Sequence, residues 1–186
     1  MKCSFLGLGL LLLPWAATAA EPRGLVVDEA HSQVTVAVKA TVDSFTAILE
    51  HYEAAIQVDP AGRRVRTAVF RFKFADLKTG KPGRDAEMNT WEQSAQFPDA
   101  RFTLTSLTPG TDGRLVAHGR LRLHGVEREL TFPVSVTTDH TVFAVDAEAP
   151  FDTRNFGLPV IRKFALLKVD PVVTVRVHLQ GNVTAP

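Results

Sequence analysis

After residue 20, apolar and polar residues alternate along most of the chain with a period of two. This alternation is typical of β-strands that bury one face and expose the other. The segments that show it are 33–38, 51–58, 68–74, 101–105, 115–123, 130–136, 142–147 and 173–179. The pattern therefore predicts about eight strands, each with one apolar face directed inward.

Short stretches of turn-forming residues separate these segments. They are Asp59–Gly62, Pro109–Gly113, His124–Glu127 and Thr138–His140. Parallel neighbours need a crossover of a dozen residues or more, so such short connections predict antiparallel pairing. Eight antiparallel strands with one apolar face close readily into a barrel. We therefore predict an all-β protein built as one antiparallel eight-stranded barrel.

Two segments depart from the alternation. In residues 83–95, Met88, Trp91 and Ala95 are spaced as on one face of a helix, and Asp85 is suited to cap its first turn. Phe97 and Pro98 then end the pattern. We expect a short helix over one end of the barrel. Residues 152–168 are irregular but rich in apolar residues, so we expect a loop that folds back over an apolar surface.

The first twenty residues have the pattern of a secretory signal peptide. Lys2 precedes an apolar run from Phe5 to Leu13, and small residues follow at positions 16–20. We expect cleavage after Ala19 or Ala20 and export to the periplasm, with no stable membrane anchor afterwards. The expected organisation is a signal peptide at 1–20 and a single domain at 21–186.

Charge and cysteine content exclude several classes of function. The whole chain has 21 Lys plus Arg and 20 Asp plus Glu. Removal of residues 1–20 takes away Lys2 and the one cysteine, which leaves a neutral chain without disulfides. Neutral charge without a basic tract argues against nucleic-acid binding. We expect no cofactor, and the sequence does not decide between a monomer and a homodimer.

No metal site is expected at the histidines of segment 115–123 and its turn. His118 and His124 share the parity of Arg120 and Arg122, so all four are predicted on the solvated outer face. Four cationic or potentially cationic groups repel a metal ion, and we expect no carboxylate or thiolate at the close spacing that metal binding needs.

The nearest approach to a catalytic cluster is formed by Glu50, His51 and Glu53. Glu50 has inward parity with Ile48, Tyr52 and Ala54, and a buried carboxyl group could act as an acid or base. We favour a position at the barrel mouth, in contact with water. The chain lacks a Gly-x-Ser-x-Gly elbow and a phosphate-binding glycine loop, so we expect no catalysis.

The apolar interior is rich in phenylalanine. The chain has 12 Phe, one Tyr and two Trp. An interior of eight strands is either filled by side chains or holds one slender ligand, and the pattern alone leaves both open. Ala54, Ala117, Gly119 and Ala147 are small residues at inward positions, and they are predicted to leave room between the rings.

Three stretches, in order, resemble the YceI-like family of exported lipocalin-like proteins. They are GRDAEM at 83–88 with FPDARF at 97–102, VAHGRLRLHGV at 116–126, and RNFGL at 154–158. The resemblance implies a lipocalin-like barrel whose apolar tunnel binds a polyisoprenoid or similar long-chain lipid. Residues 38–48 lack the His and Gly residues usual in the family, and Glu87 stands where His is common. These departures concern the ligand more than the fold.

The resemblance and the pattern together give a set of expected ligand-binding residues. Inward side chains are expected to surround the lipid, and side chains of the helix and the late loop are expected to shape the portal. The residues are Phe70, Phe72, Phe74, Trp91, Phe102, Leu121, Phe132, Phe143, Phe156, Leu158 and Ile161. Arg84 and Arg154 are expected to pair with nearby carboxylates rather than with a head group. Two alternatives stay open: an enzyme using Glu50 or His51, and an exported barrel with a filled core.

Overall fold

The computed structural model describes residues 21–163 and 167–184. The predicted signal peptide lies outside this range, as do Phe164 and Leu166 of the late loop. The described strands are β1 (Arg23–Val27), β2 (Gln33–Ala40), β3 (Phe45–Leu49), β4 (Glu53–Asp59), β5 (Arg64–Lys73), β6 (Leu77–Lys78), β7 (Asp99–Pro109), β8 (Leu115–Leu123), β9 (Val126–Asp139), β10 (Val142–Asp152), β11 (Arg162–Lys163) and β12 (Leu167–Val183).

Three pairs of these strands continue one another across a short break, and the two-residue β11 pairs with β12 outside the barrel sheet, so eight long strands form the barrel in the described part of the chain. β1 leads into β2 through the 3-10 turn Glu29–His31, β3 leads into β4, and β5 leads into β6 through the 3-10 turn Phe74–Asp76. All pairings are antiparallel in the described residues, and β12 closes the barrel by pairing with β10, β2 and β1. The predicted eight-stranded antiparallel barrel is confirmed.

The break between β3 and β4 changes which residues face inward. Ala47 and Leu49 are buried in β3, and Ile56 and Val58 are buried in β4. The change from odd to even positions means that the alternation shifts by one residue at 50–52. A shift of one residue moves every later side chain to the other face. The sequence pattern alone did not show this shift.

The hairpin between β8 and β9 turns at His124 and Gly125. Both residues have positive φ angles, 50° and 71°. Two-residue turns with positive φ at both positions match the right-handed twist of the strands that they connect. The paired residues run from Leu123 with Val126 to Leu115 with Val134, so the predicted hairpin is confirmed.

Helix α1 (Pro82–Glu92) lies over one end of the barrel. It begins before the predicted cap because Pro82 already has the φ angle that a first helical residue needs. Asp85 is therefore inside the helix, and its carboxylate accepts hydrogen bonds from the Thr79 amide (2.9 Å) and hydroxyl (2.6 Å). Gln93, with φ 61°, ends the helix, so Ala95 is outside it and exposed.

The late irregular segment folds back over the barrel end, as predicted. Residues Thr153–Phe156 form a 3-10 turn, and Gly157 leaves it with φ 80°. The side chains of Phe156 and Leu158 are buried in the core. Within the described residues, no helix has the length and apolar character needed to cross a membrane.

Candidate functional site: an apolar cavity inside the barrel

The barrel encloses a cavity of about 1040 Å³ that opens beside helix α1 and the late loop. Its walls are almost entirely apolar and include side chains from β2 to β5 and from β7 to β10, together with β12. Eight of the residues expected to contact a ligand line it: Phe70, Phe72, Phe74, Trp91, Phe102, Leu121, Phe132 and Ile161. The filled-core alternative is therefore wrong.

Three of the expected ligand-binding residues lie elsewhere. Phe143, Phe156 and Leu158 are 1%, 0% and 2% exposed and belong to the packed core rather than to the cavity wall. Phe156 stacks edge-on against Phe151 at 5.5 Å between ring centroids, and Phe151 is the ring that meets the cavity. Phe143 pairs with Gly181 in the part of β12 that also pairs with β1, and Leu25 of β1 belongs to the same buried core as Phe143.

The small inward residues contribute unequally to the empty space. Ala54, Ala117 and Ala147 line the cavity as predicted. Gly119 does not, because the ring of Phe102 lies directly over it. A Cβ atom on Gly119 would be 2.3 Å from Cζ of Phe102 and 2.8 Å from the carbonyl oxygen of Thr103. The space left by Gly119 is therefore already occupied by the aromatic ring.

Aromatic side chains contact one another along the cavity wall, within one strand and between strands. Phe70 and Phe72 have ring centroids 6.0 Å apart, and Phe102 and Phe132 are 5.6 Å apart. Tyr52 stacks on Phe70 at 4.9 Å. Such pairs add about 0.5–1.5 kcal/mol each beyond the burial of their area. The wall is thus pre-formed rather than dependent on a ligand for its shape.

Helix α1 forms one side of the cavity mouth. Met88 and Trp91 line the cavity, and the indole Nε1 of Trp91 donates a hydrogen bond to the carbonyl oxygen of Pro159 (2.8 Å). At the other end of the helix, Arg84 pairs with Asp43 at 2.6 Å and lies 4.2 Å from the ring centroid of Phe45. The predicted ion pair of Arg84 is confirmed.

The charges at the mouth are held by their partners. Lys81 also contacts Asp43, at 3.3 Å, and hydrogen bonding to Arg84 is the largest cause of the lowered pKa of Asp43. The predicted pairing of Arg154 with a carboxylate is confirmed as well, since its guanidinium donates to Asp152 at 2.5 Å. Arg154 lies outside the cavity lining.

Glu50 and His51 are not positioned for acid–base chemistry in the cavity. Because the alternation shifts at 50–52, Glu50 is exposed instead of inward, and the side chain of His51 is 79% exposed. His51 lies 3.7 Å from Asp76, and neither Glu50 nor His51 lines the cavity. Among the described residues, no group of three or more His, Cys, Asp or Glu side chains could hold a metal ion.

The two histidines of the β8–β9 hairpin differ from one another. His118 is on the outer face, where it makes hydrogen bonds with Thr108 (3.1 Å) and Thr131 (3.2 Å). The prediction of a solvated His124 is wrong: its side chain is only 13% exposed and its ring lies 4.4 Å from that of Phe97. Its position in the turn, rather than its strand parity, directs it toward the helix.

A buried carboxyl group, Glu92, was not anticipated from the sequence. Its side chain is 0% exposed, and neither carboxyl oxygen has a hydrogen-bond partner among the described residues. Burial raises the pKa of Glu92 to about 7. A usable signal was present, because Glu92 follows Met88 by four residues and so shares its inward helical face.

The fold and the cavity define a class of protein: a lipocalin-like β-barrel that encloses one apolar site. A family model for the YceI-like domain matches residues 25–181, and the chain belongs to this family. No sequence match is found among curated proteins.

Solved structures show the same fold. BcnA from Burkholderia cenocepacia is similar with a TM-score of 0.73 at 19% identity, covering 84% of this chain and all of BcnA. The YceI protein of Campylobacter jejuni is similar with a TM-score of 0.67 at 15% identity, covering 77% of this chain and 88% of the C. jejuni chain. A polyisoprenoid binding domain from Saccharophagus degradans gives 0.61 at 14% identity, covering 88% and 100%.

Proposed function

We propose that this protein binds a polyisoprenoid or similar long-chain lipid in the barrel cavity and carries out no catalysis. The observation that carries the proposal is the apolar cavity of about 1040 Å³ lined by eight expected residues. This volume is at the upper end of the range of about 300–1,000 Å³ that is typical of ligand pockets. A single flexible apolar chain suits such a site better than a small polar metabolite.

Burial of the chain supplies the binding free energy. Each CH₂ group removed from water contributes about 0.8 kcal/mol before ordering costs are subtracted. The wall offers aromatic rings and β-branched side chains but few polar groups, so recognition depends on shape and length. The polyisoprenoid binding domain of S. degradans, which has the same fold, supports a prenyl chain as the first ligand to test.

The enzymatic alternative has less support. Glu50 and His51, its acid–base candidates, are exposed and lie outside the cavity wall. Replacement of Glu50 by Gln is therefore expected to leave ligand affinity unchanged within a few-fold.

A pair of neighbouring alanines on β4 provides the sharpest test of the binding site. Ala54 lines the cavity, whereas Ala55 is exposed on the outer face. Ala54→Phe is expected to weaken binding of farnesol or a longer prenol at least tenfold, because exclusion of only two CH₂ groups costs about 1.6 kcal/mol. Ala55→Phe is the control and is expected to bind normally.

Native mass spectrometry of the purified protein, followed by organic extraction, measures both occupancy and ligand mass. A stoichiometric lipid that is lost in Ala54→Phe supports the proposal. The proposal is contradicted if the purified protein contains no lipid and binds neither added prenols nor added fatty acids.

Export to the periplasm is part of the same proposal. It is supported by the pattern of residues 1–20, where an apolar run is followed by small residues. The intact mass of protein recovered from a periplasmic fraction tests it, with an N-terminus at Ala20 or Glu21 as the expected result. Recovery only from the cytoplasm with residues 1–20 intact would contradict it.

A further inference from the structure

Helix α1 is attached to the barrel by separate contacts at its two ends. At its beginning, Asp43 pairs with Lys81 and Arg84. At its end, the Nδ1–H of His124 donates a 2.7 Å hydrogen bond to the carbonyl oxygen of Glu92, and the indole of Trp91 donates to Pro159. The side chains between these contacts, Met88 among them, form part of the cavity wall. Detachment of the end of the helix would therefore widen the mouth.

The end of helix α1 contains a buried carboxyl group that has no hydrogen-bond partner among the described residues. The carboxyl group of Glu92 is fully buried, and no described donor or acceptor satisfies either oxygen. A buried carboxylate without donors costs several kcal/mol, whereas the protonated group costs much less. Glu92 does not line the cavity, so a ligand in that site does not compensate it.

The groups that face Glu92 leave this charge without compensation. Of the described basic side chains, only His124 comes within 4.0 Å, with its Nδ1 at 3.9 Å from Oε1 of Glu92, and that nitrogen already donates to the backbone. On the neighbouring 3-10 turn and β6, Asp76 faces His51, and Nζ of Lys78 donates to the Ala75 carbonyl oxygen. The guanidinium group of Arg84, on the helix itself, is held by Asp43 at the opposite end.

We propose that Glu92 makes the end of helix α1 a pH-dependent gate: protonated Glu92 keeps the helix docked, and its ionisation favours an undocked state that exchanges lipid with the surroundings. The gating of lipid exchange rests on the proposed function, whereas the motion of the helix does not.

The pH range of the gate follows from the two states of the carboxyl group. Burial raises the pKa of Glu92 from its ordinary value of 4.5 to about 7 when the helix is docked. Well below pH 4.5, Glu92 is protonated in both the docked and the undocked state, so low pH does not disfavour docking. Between pH 4.5 and about pH 7, the equilibrium constant for undocking rises by up to about tenfold per pH unit, and above about pH 7 it becomes constant. The Asp43 contact stays ionised over this range, since the pKa of Asp43 is lowered.

Trp91 reports on docking without any ligand. The chain has two tryptophans, Trp15 and Trp91, so in Trp15→Phe Trp91 is the only tryptophan whether or not residues 1–20 are removed, and its emission is excited selectively over that of the single tyrosine. Quenching of Trp91 by acrylamide is measured between about pH 4.5 and pH 8, together with the dissociation rate of a fluorescent farnesol analogue. In the protein with Glu92 unchanged, the quenching of Trp91 and the dissociation rate of the analogue are both expected to rise with pH, the dissociation rate by at least about tenfold.

Variants assign the effect to the Glu92 carboxyl group. Glu92→Gln, which is nearly isosteric, and Glu92→Leu are both expected to give flat pH profiles. Glu53→Gln, on a side chain that is 80% exposed on β4, is expected to retain the parent profile. The thermal transition of each variant shows whether it has folded.

The outcomes separate the gate from the proposed function. If no prenol binds but Trp91 quenching rises with pH and is flat in both Glu92 variants, the gate stands and the lipid-binding proposal fails. If prenol binds and dissociates at a rate independent of pH, the gate is wrong and the binding proposal stands. A pH profile that persists in Glu92→Gln and Glu92→Leu also overturns the gate.

Discussion

Replacement of Gly119 by alanine tests whether the cavity wall is as tightly packed as the structure indicates. The added Cβ would lie 2.3 Å from Cζ and 2.5 Å from Cε2 of Phe102, and 2.8 Å from the Thr103 carbonyl oxygen. Ordinary carbon contacts are about 3.5–4.0 Å, so the ring has to move by more than about 1 Å. The carbonyl oxygen belongs to β7, which is paired with β8, and has little freedom to move.

The expected cost is set by two opposing effects. Overpacking in a well-packed interior costs about 1–3 kcal/mol, whereas replacing glycine in a strand recovers about 0.5–1 kcal/mol. We therefore expect Gly119→Ala to lower the free energy of unfolding by about 1–2 kcal/mol. Phe102 lines the cavity, so displacement of its ring is expected to lower the affinity for a prenol as well, if the proposed function holds.

Urea unfolding followed by circular dichroism measures the change as a lower midpoint with an unchanged slope. Gly83→Ala is the matched control, because a Cβ atom added at this position in helix α1 would have no neighbouring atom within 4 Å. It is expected to be neutral or stabilising by up to about 1 kcal/mol. In the double variant Gly119→Ala/Phe102→Leu, the costs are expected to be less than additive. If Gly119→Ala is as stable as the parent, the packing argument fails.

Three further predictions concern a second close-packed glycine and two buried carboxyl groups. Gly181→Ala is expected to cost about 2 kcal/mol or more, because its Cβ would lie 2.5 Å from the carbonyl oxygen of Val26 across the β1–β12 pairing; an unaffected urea midpoint would contradict this. Glu92→Leu is expected to raise the free energy of unfolding by about 2–3 kcal/mol near pH 8 and by much less near pH 4. The reason is that the penalty of burying the Glu92 carboxylate grows as the pH rises toward the pKa of this group, about 7. Equal gains in stability at both pH values would refute this prediction. Asp59 is buried, and hydrogen bonds from the Gly62 amide (2.9 Å) and Arg66 (2.5 Å) lower its pKa. The ionised Asp59 therefore adds to the free energy of unfolding above its ordinary pKa, and this contribution is lost as the pH falls. In Asp59→Asn, the free energy of unfolding should consequently decrease less between neutral and acid pH than it does in the parent.

Much of the barrel could be predicted because alternation records directly which side of a strand faces the core. The hairpin at His124 and Gly125, with its buried Leu121 and Leu123, follows from that pattern and from turn chemistry. The same holds for Phe70 and Phe72 on the cavity wall. Where a strand runs without interruption, the period of two is sufficient.

The rest depended on features that alternation does not contain. The one-residue shift at 50–52 placed Glu50 outside, and the 3-10 turn at Thr153–Phe156 placed Phe156 in the core beside the cavity. Gly119 was expected to leave empty space, but whether a neighbouring ring fills it is a matter of three-dimensional packing. Glu92 was missed because a charged residue at the end of a short helix is usually solvated.

The position of β12 also constrains how the protein folds. This strand, Leu167–Val183, pairs with β1, β2 and β10, so the first and last of the described strands are neighbours. Contacts between residues so far apart in sequence are slow to form, because a long loop must close before they are gained. Until β12 arrives, β1, β2 and β10 present unpaired edges that are prone to aggregation. Closure of the barrel therefore has to wait until β12 has been synthesised.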